Sequence, residues 1–365
     1  MAIATTNASG RRSDAFFAWL IGAPAFFGLL VFLILPFLLA IVLSFSNQRL
    51  LSPNPTEGVG LRNYDRLLGL TILSVDPLVD DETGEVLRDD EGNIEFPRSR
   101  SITRNTEEYP QYEGFREWFS IDAFGQRSYI LAKDPTFLRS IINNFIFAAI
   151  VVPLQSGLAL GLALLINQKI PGVNVFRTIY FSPVVTSMVV ISIIWTFLYD
   201  KQVGMINQLL TGLTGGLIGP FDWLGDPQSA MIAIIIMSVW QGVGFQMVIF
   251  LAGLQGIPDS LYEASSIDGA SRWQQFWNVT IPGLRNTIVF VAISTTILAF
   301  RLFTQVDVMT SGGPSDATTT VVFHAVERGF RDQNIGYAAA ISVVFFIIVL
   351  VIALIQQRLL PSEEG

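Results

Sequence analysis

The chain has 365 residues, 51% of them hydrophobic and 14% charged, with a mean hydropathy of +0.51. This argues against a pair of soluble domains and for several bilayer-crossing runs of about 20 apolar residues each. The chain has no cysteine, a single histidine (His324) and a net charge of −8, which excludes disulfides, thiolate chemistry and a multi-histidine metal site, and leaves no basic patch for nucleic acid.

Residues 1–14 are polar and carry Arg11 and Arg12. Residues 15–48 hold no charge and are rich in Phe and Leu. The run is too long for a signal-peptide core, so it reads as a retained first span. The arginine pair ahead of it predicts a cytoplasmic N-terminus.

Residues 49–139 are hydrophilic and read as an extracytoplasmic loop with an inserted module over 71–133. That module holds 7 basic against 14 acidic residues, a net −7, so most of the chain's charge is local. The acidic turns at 80–84 and 89–93 flank Val86-Leu87 and Ile94 to Phe96, which predicts short hairpins. They lack the D-x-D-x-D-G order of a calcium loop and read as solvated turns. Tyr109, Tyr112, Phe115, Trp118 and Phe119 are expected to supply an aromatic core.

Five further spans follow at 140–168, 178–199, 227–258, 286–300 and 333–357, the fifth span of the chain ending on a snorkelling Arg301. The reading is an all-α polytopic membrane protein of six transmembrane helices, with a core at 140–357 and a tail at 358–365. With the N-terminus inside, Lys169, Arg177, Arg272, Arg285 and Arg358 fall on the cytoplasmic side, and the C-terminus is cytoplasmic as well.

The spans carry polar but uncharged groups. Ser238, Gln241 and Phe245 share one helix face and Gly242 leaves room beside them; Ser187 lies in an irregular region after Pro183, and Thr295 sits mid-span beside Thr296. These are the candidate lining of a solute path. The same residue types also pack helices together without a ligand.

The stretch 256–284 punctuates itself. Ser260 and Glu263 have capping-box spacing, as do Ser271 and Gln274. Gly269 stands where a helix C-cap wants positive φ. Trp273, Phe276 and Trp277 share a face, and Leu261, Ala264 and Ile267 are expected to pack with Trp273 and Phe276. The prediction is two short helices around a sharp turn, closed by Pro282.

Glu263-Ala264-Ser265, Asp268-Gly269-Ala270, Val279 and Ile281-Pro282 resemble in order and spacing the EAA loop of permease subunits in bacterial ABC importers. The family pattern is E-A-A, Gly, then I-x-L-P, and this chain departs from it at Ser265, Val279 and Ile281. Three more stretches resemble carbohydrate permeases of the maltose and glycerol-phosphate type: Gly60-Leu61-Arg62-Asn63-Tyr64, Thr310 to Pro314 with Ala317-Thr318, and Gly336-Tyr337-Ala338-Ala339-Ala340. The resemblance implies an ABC type I importer permease fold in the bacterial inner membrane. It implies that Glu263, Ala264, Ser265, Asp268, Gly269, Ala270, Phe276 and Pro282 couple to an ATPase. It also implies a second homologous permease, two ABC ATPase subunits and an extracytoplasmic solute-binding protein as partners.

None of Lys133, Lys169 and Lys201 is followed by Ser or Thr, and no P-loop is present. The resemblance implies that ATP and Mg lie on the partner ATPase, with no cofactor on this chain. A membrane-embedded enzyme is the runner-up, but the sequence has no H-E-x-x-H and its spans hold no Asp, His or Lys. An ion-coupled secondary transporter would place charges at midplane. Uncharged polar spans suit a neutral carbohydrate or polyol.

Overall fold

The structure, a computed structural model, describes residues 8–80, 84–123, 125–168 and 172–359. Lys169, the middle of the first acidic turn and the last six residues lie outside them. Helix α1 begins at Ala8, and its stretch Trp19–Ser44 is long and apolar enough to cross a bilayer. A π-turn at Leu30–Ile34 leads into Pro36, whose missing N–H an ordinary turn would leave as a gap. The end of α1 is held by the next segment. Asn63 donates its amide to the Ser44 and Ser46 carbonyls at 2.8 and 2.9 Å, and the Tyr64 hydroxyl meets Ser44 Oγ at 2.6 Å. The G-L-R-N-Y stretch is thus a lid on the first span, turned by Gly60 at φ +59, and it runs into α2 (Arg62–Leu68).

The 71–133 region folds. Strands β1 (Leu70–Val75), β2 (Arg116–Ala123) and β3 (Gln126–Ala132) form an antiparallel sheet in the order β1-β3-β2, with the short α3 (Ser99–Thr103) against it. The chain is therefore not helical throughout. Side chains alternate across the pleat, so Leu73 and Val75 point inward while Ile72 is exposed. They meet Tyr129 and Leu131 of β3, and Phe96, Ile102, Tyr112 and Phe115 complete the cluster. Each fully buried side chain of this size contributes about 1.5–3 kcal/mol. Of the five aromatics expected in this core, Tyr112 and Phe115 pack into it, whereas Tyr109 and Trp118 lie outside the cluster and Phe119 stays on the surface. The hairpin signals are met by bridges Val79–Val86 and Arg88–Ile94.

The helical core follows. Helix α4 (Pro135–Ile166) packs along α8 (Ala230–Gln255), and α11 (Arg285–Phe300) crosses both. Phe147, Val151, Ile234, Met237 and Phe300 fill one end of this group, and Ala163, Met247, Phe250, Leu284 and Val291 fill the other. In the chain, α5 (Val173–Val185), α6 (Met188–Leu198) and α7 (Met205–Leu213) connect α4 to α8. Helices α5 and α6 were expected as one span. They meet at 99°, because Thr186 and Ser187 adopt extended backbone after Pro183.

After α11 come α12 (Thr304–Met309), α13 (Val321–Val326) and α14 (Ile335–Leu359). Phe37 of α1 meets Phe346 of α14 with ring centroids 4.7 Å apart. Among the described residues, four helices are long and apolar enough to cross a membrane, or six if each bent pair is one span.

Candidate functional site

The hairpin between α8 and α11 is built much as its punctuation predicts. Helix α9 (Asp259–Ile267) ends in a Schellman turn: Gly269 N–H donates to the Ser266 carbonyl at 3.1 Å and Ala270 N–H to the Ser265 carbonyl at 2.9 Å. Gly269 sits at φ +78, with open space around its Cα, so backbone conformation alone demands glycine. The second capping box forms, with Ser271 Oγ accepting from Gln274 N–H and Gln274 Oε1 accepting from Ser271 N–H. It opens α10 (Arg272–Gly283), which holds a π-turn at Phe276–Thr280 just before Pro282. Helix α10 meets α11 at 66°.

Two expectations fail. The Ser260–Glu263 box does not form, since α9 starts two residues earlier, with Pro258 as N-cap and Asp259 in the first turn. Glu263 lies a turn deeper, exposed and without a salt bridge among the described residues. Nor do the apolar residues of the two helices pack on one another. Ile267 is 87% exposed, Trp273 69% and Leu261 50%. The rings of Trp273, Phe276 and Trp277 touch instead, with centroids 5.2 to 5.7 Å apart, as a surface cluster.

Polar bonds hold the two helices. Gln275 Nε2 donates to Ser266 Oγ at 2.8 Å and Ser265 Oγ at 3.1 Å, and Tyr262 Oη meets Thr280 Oγ1 at 3.0 Å. Ser265, one of the three departures from the family pattern, supplies a hydroxyl where alanine has none. At the base, a Cβ on Gly283 would lie 2.8 Å from Ile257, and one on Gly253 2.5 Å from Thr287 Oγ1. The hairpin is therefore seated tightly on the adjoining ends of α8 and α11. Ala264 and Asp268 are exposed on its outer side, and Pro282 lies exposed at its return.

The candidate path residues separate into two groups. Phe245 is 44% exposed, Gln241 is half-buried, and Ser187 is exposed at the break between α5 and α6. Ser238 and Thr295 are buried inside the subunit. Thr295 accepts from Gln246 Nε2 at 2.5 Å, a bond from α8 to α11. Gly242 does leave room, but Gln155 of α4 fills it: a Cβ there would lie 2.0 Å from Gln155 Nε2. Gln155 and Gln246 escaped the sequence reading; a lone amide inside an uncharged run was the only signal of either.

A second polar joint lies where α4, α13 and α14 begin. Asp134 caps α4 through Phe137 N–H at 3.0 Å, and its other oxygen accepts from Tyr337 Oη at 2.5 Å and lies 2.9 Å from His324 Nε2. Arg66 stacks over the Tyr337 ring at 4.3 Å. Gly336 lets α14 approach α1's end, since a Cβ there would lie 2.1 Å from the Ser46 carbonyl. Asn143 donates to the Asp316 and Thr319 carbonyls at 3.0 and 2.8 Å, and Asn144 accepts from Val321 N–H at 2.9 Å. These bonds pin the 310–320 loop to α4.

A bundle of bilayer-length and bent helices with a tethered surface hairpin is the build of an integral membrane protein. The chain belongs to the family of binding-protein-dependent transport system inner membrane components, whose model matches residues 128–364. It is a permease, not an enzyme, and ATP hydrolysis belongs to a separate subunit of such importers.

The chain is 35% identical to the probable ABC transporter permease protein YurN of Bacillus subtilis over 243 residues, covering 66% of this chain and 83% of that protein. It is 35% identical to the diacetylchitobiose uptake system permease NgcF of Streptomyces coelicolor, covering 64% and 70%. It is 37% identical to the lactose transport system permease LacF of Rhizobium radiobacter, covering 62% and 76%. Its fold matches a chain in the crystal structure of a bacterial ABC transporter that imports the acidic polysaccharide alginate. The TM-score is 0.66, with 97% of this chain and 98% of that one covered at 18% identity. The fold is that of an ABC type I importer permease.

Proposed function

We propose that the chain crosses the bacterial inner membrane six times and carries a carbohydrate or related polyol. The pairs α5–α6 and α10–α11 each count as one bent span, both termini are cytoplasmic, and the 49–139 segment is outside. Arg177, Arg272, Arg285 and Arg358 then share the cytoplasmic side, in keeping with the positive-inside bias. Relatives named for diacetylchitobiose and lactose uptake support a sugar as solute.

The observation that carries this reading is the 256–284 hairpin. Its rings face outward, its turn is stiff, and it continues into α11 through a single bend. Such a tip fits a groove on a separate ATPase, and any push on it enters α8 and α11 at once. Glu263, Ala264, Ser265, Asp268, Gly269, Ala270, Phe276 and Pro282 are the coupling residues in this account. ATP and Mg stay on the two ATPase subunits, and no cofactor binds here. Gln241, Phe245 and Ser187 face a second, homologous permease across the solute path, while Ser238, Gly242 and Thr295 shape that wall from within. An extracytoplasmic binding protein delivers the solute, and the 71–133 module helps receive it.

The test is reconstitution. The isolated chain is expected to show no ATPase activity, and the complete assembly to take up sugar only with ATP. Stoichiometric ion-coupled uptake by the isolated chain would reject the reading.

A further inference from the structure

The 71–133 module is acidic in sum, yet its charges are sorted in space. Arg98, Arg100, Arg104 and Arg116 converge with Arg139 of α4 on one cleft of about 1110 Å³. The four module arginines form neither a salt bridge nor a side-chain hydrogen bond among the described residues. Arg139 donates to the Ser315 carbonyl at 2.8 Å. A sixth arginine, Arg127, also lines the cleft but is held by Asp122 at 2.6 and 2.7 Å. Two carboxylates share the space and both are engaged: Glu117 accepts from Ser99 Oγ, and Asp316 from Thr136 Oγ1 at 3.3 Å. The cleft therefore keeps an excess of unpaired guanidinium groups around one concavity. Like charges so placed repel one another until an anion lies between them.

We propose that this cleft binds the carboxylates of an acidic oligosaccharide at the mouth of the permease. The inference rests on the carbohydrate reading above, and it replaces the neutral solute expected from the uncharged spans with an acidic one. Guanidinium forks match carboxylates in a bidentate way. The half-buried Trp118 lines the same wall, where a ring can lie against a sugar face, and Thr103, Ser120 and Thr136 add hydroxyls. The volume lies just above the range of about 300–1,000 Å³ usual for small-ligand pockets, which leaves room for more than one sugar unit. Its concavity favours a slender chain over a folded protein's face. Position favours it too: the cleft is closed on one side by Pro135, Arg139 and Asp316, so a bound chain lies against the start of α4 and the loop that Asn143 pins.

The test uses the full chain in nanodiscs at low ionic strength, titrated with a short oligogalacturonate and with a neutral galacto-oligosaccharide of equal length. Binding of the acidic chain alone is expected, weakened by added salt. Replacing Arg100→Gln together with Arg104→Gln should weaken it by about tenfold or more. Both side chains are exposed, so the module should stay folded, which an unchanged protease pattern checks. Equal binding of the neutral sugar, no binding of the acidic one, or unchanged binding by the double variant overturns the proposal. So does a variant that loses only its binding protein while oligogalacturonate never binds, which makes the cleft a protein-docking face. Failure of the underlying carbohydrate reading is seen separately, as absence of ATP-driven sugar uptake by the complete wild-type assembly.

Discussion

The Tyr337 hydroxyl donates to the Asp134 carboxylate at 2.5 Å, tying the first turn of α14 to the cap of α4 across 203 residues of sequence. Burial works against the charge on Asp134, but bonds from His324, Tyr337 and the Phe137 N–H hold its pKa well below the usual carboxylate range. Tyr337→Phe is expected to lower the unfolding free energy by about 1.5–3 kcal/mol, since it removes a bond to a buried charge. Thermal unfolding of the detergent-solubilised chain measures it, and an unchanged midpoint would mean that His324 alone suffices.

The same pair sets an acid limb. A carboxyl whose folded pKa is depressed stabilises the fold fully above its unfolded value, about 3.9 for Asp, and loses that contribution as the pH falls through its folded value. The contribution of Asp134 is therefore complete at neutral pH and fades only under strong acid. Asp134→Asn should lower stability at pH 7 and narrow its gap to wild type as the pH falls below about 4. A gap that stays constant with pH would show that the charge is not what stabilises the joint.

At the hairpin tip, Gly269→Asp is expected to leave the helices inserted and abolish uptake. Open space surrounds the site, so the defect comes from φ +78, where a side chain costs about 1–2 kcal/mol. Glu263→Lys should act through charge, because Glu263 caps nothing in its own helix and is free to meet a basic group on the ATPase. ATPase retention on washed membranes and solute uptake are measured side by side. Normal uptake in both variants would reduce the hairpin to an interfacial element.

Gln275→Leu removes the amide that joins α10 to Ser265 and Ser266. The helices then move apart more easily, so ATP hydrolysis should persist while uptake per ATP falls. Ser265→Ala is the milder change, about 1 kcal/mol or less, because Ser266 still accepts from Gln275. If Gln275→Leu keeps the wild-type ratio of uptake to hydrolysis, the clip has no part in coupling.

On α8, neighbouring residues should give opposite phenotypes. Gln241→Leu is expected to weaken transport with assembly intact, as the proposed solute path would lose a polar group. Gly244→Ala should instead harm folding, because its Cβ would lie 1.9 Å from the Tyr180 backbone carbonyl oxygen, which cannot swing aside. Yield and thermal stability separate the two, and uptake by Gln241→Leu equal to wild type would assign that amide to packing.

Much of this protein was legible in its sequence, because one-dimensional signals have local physical causes. Uncharged runs mark helices of membrane length, Gly269 marks a positive φ, and Ser271 with Gln274 marks a cap, since each depends on residues within a few positions of one another. The G-L-R-N-Y and G-Y-A-A-A stretches were recognisable as patterns, but only the fold gave their reason: Asn63 closes α1, and Gly336 clears a path for the Ser46 carbonyl. Tertiary structure alone decided which polar groups are spent on packing. Gln155 fills the notch of Gly242, Gln246 bonds Thr295, and His324, unremarkable in the sequence, meets a buried aspartate 190 residues away. The sum of charges in the 71–133 module hid an arginine cleft for the same reason. Composition adds charges along the chain, whereas attraction and repulsion depend on their distances in space, and those exist only once the sheet has formed.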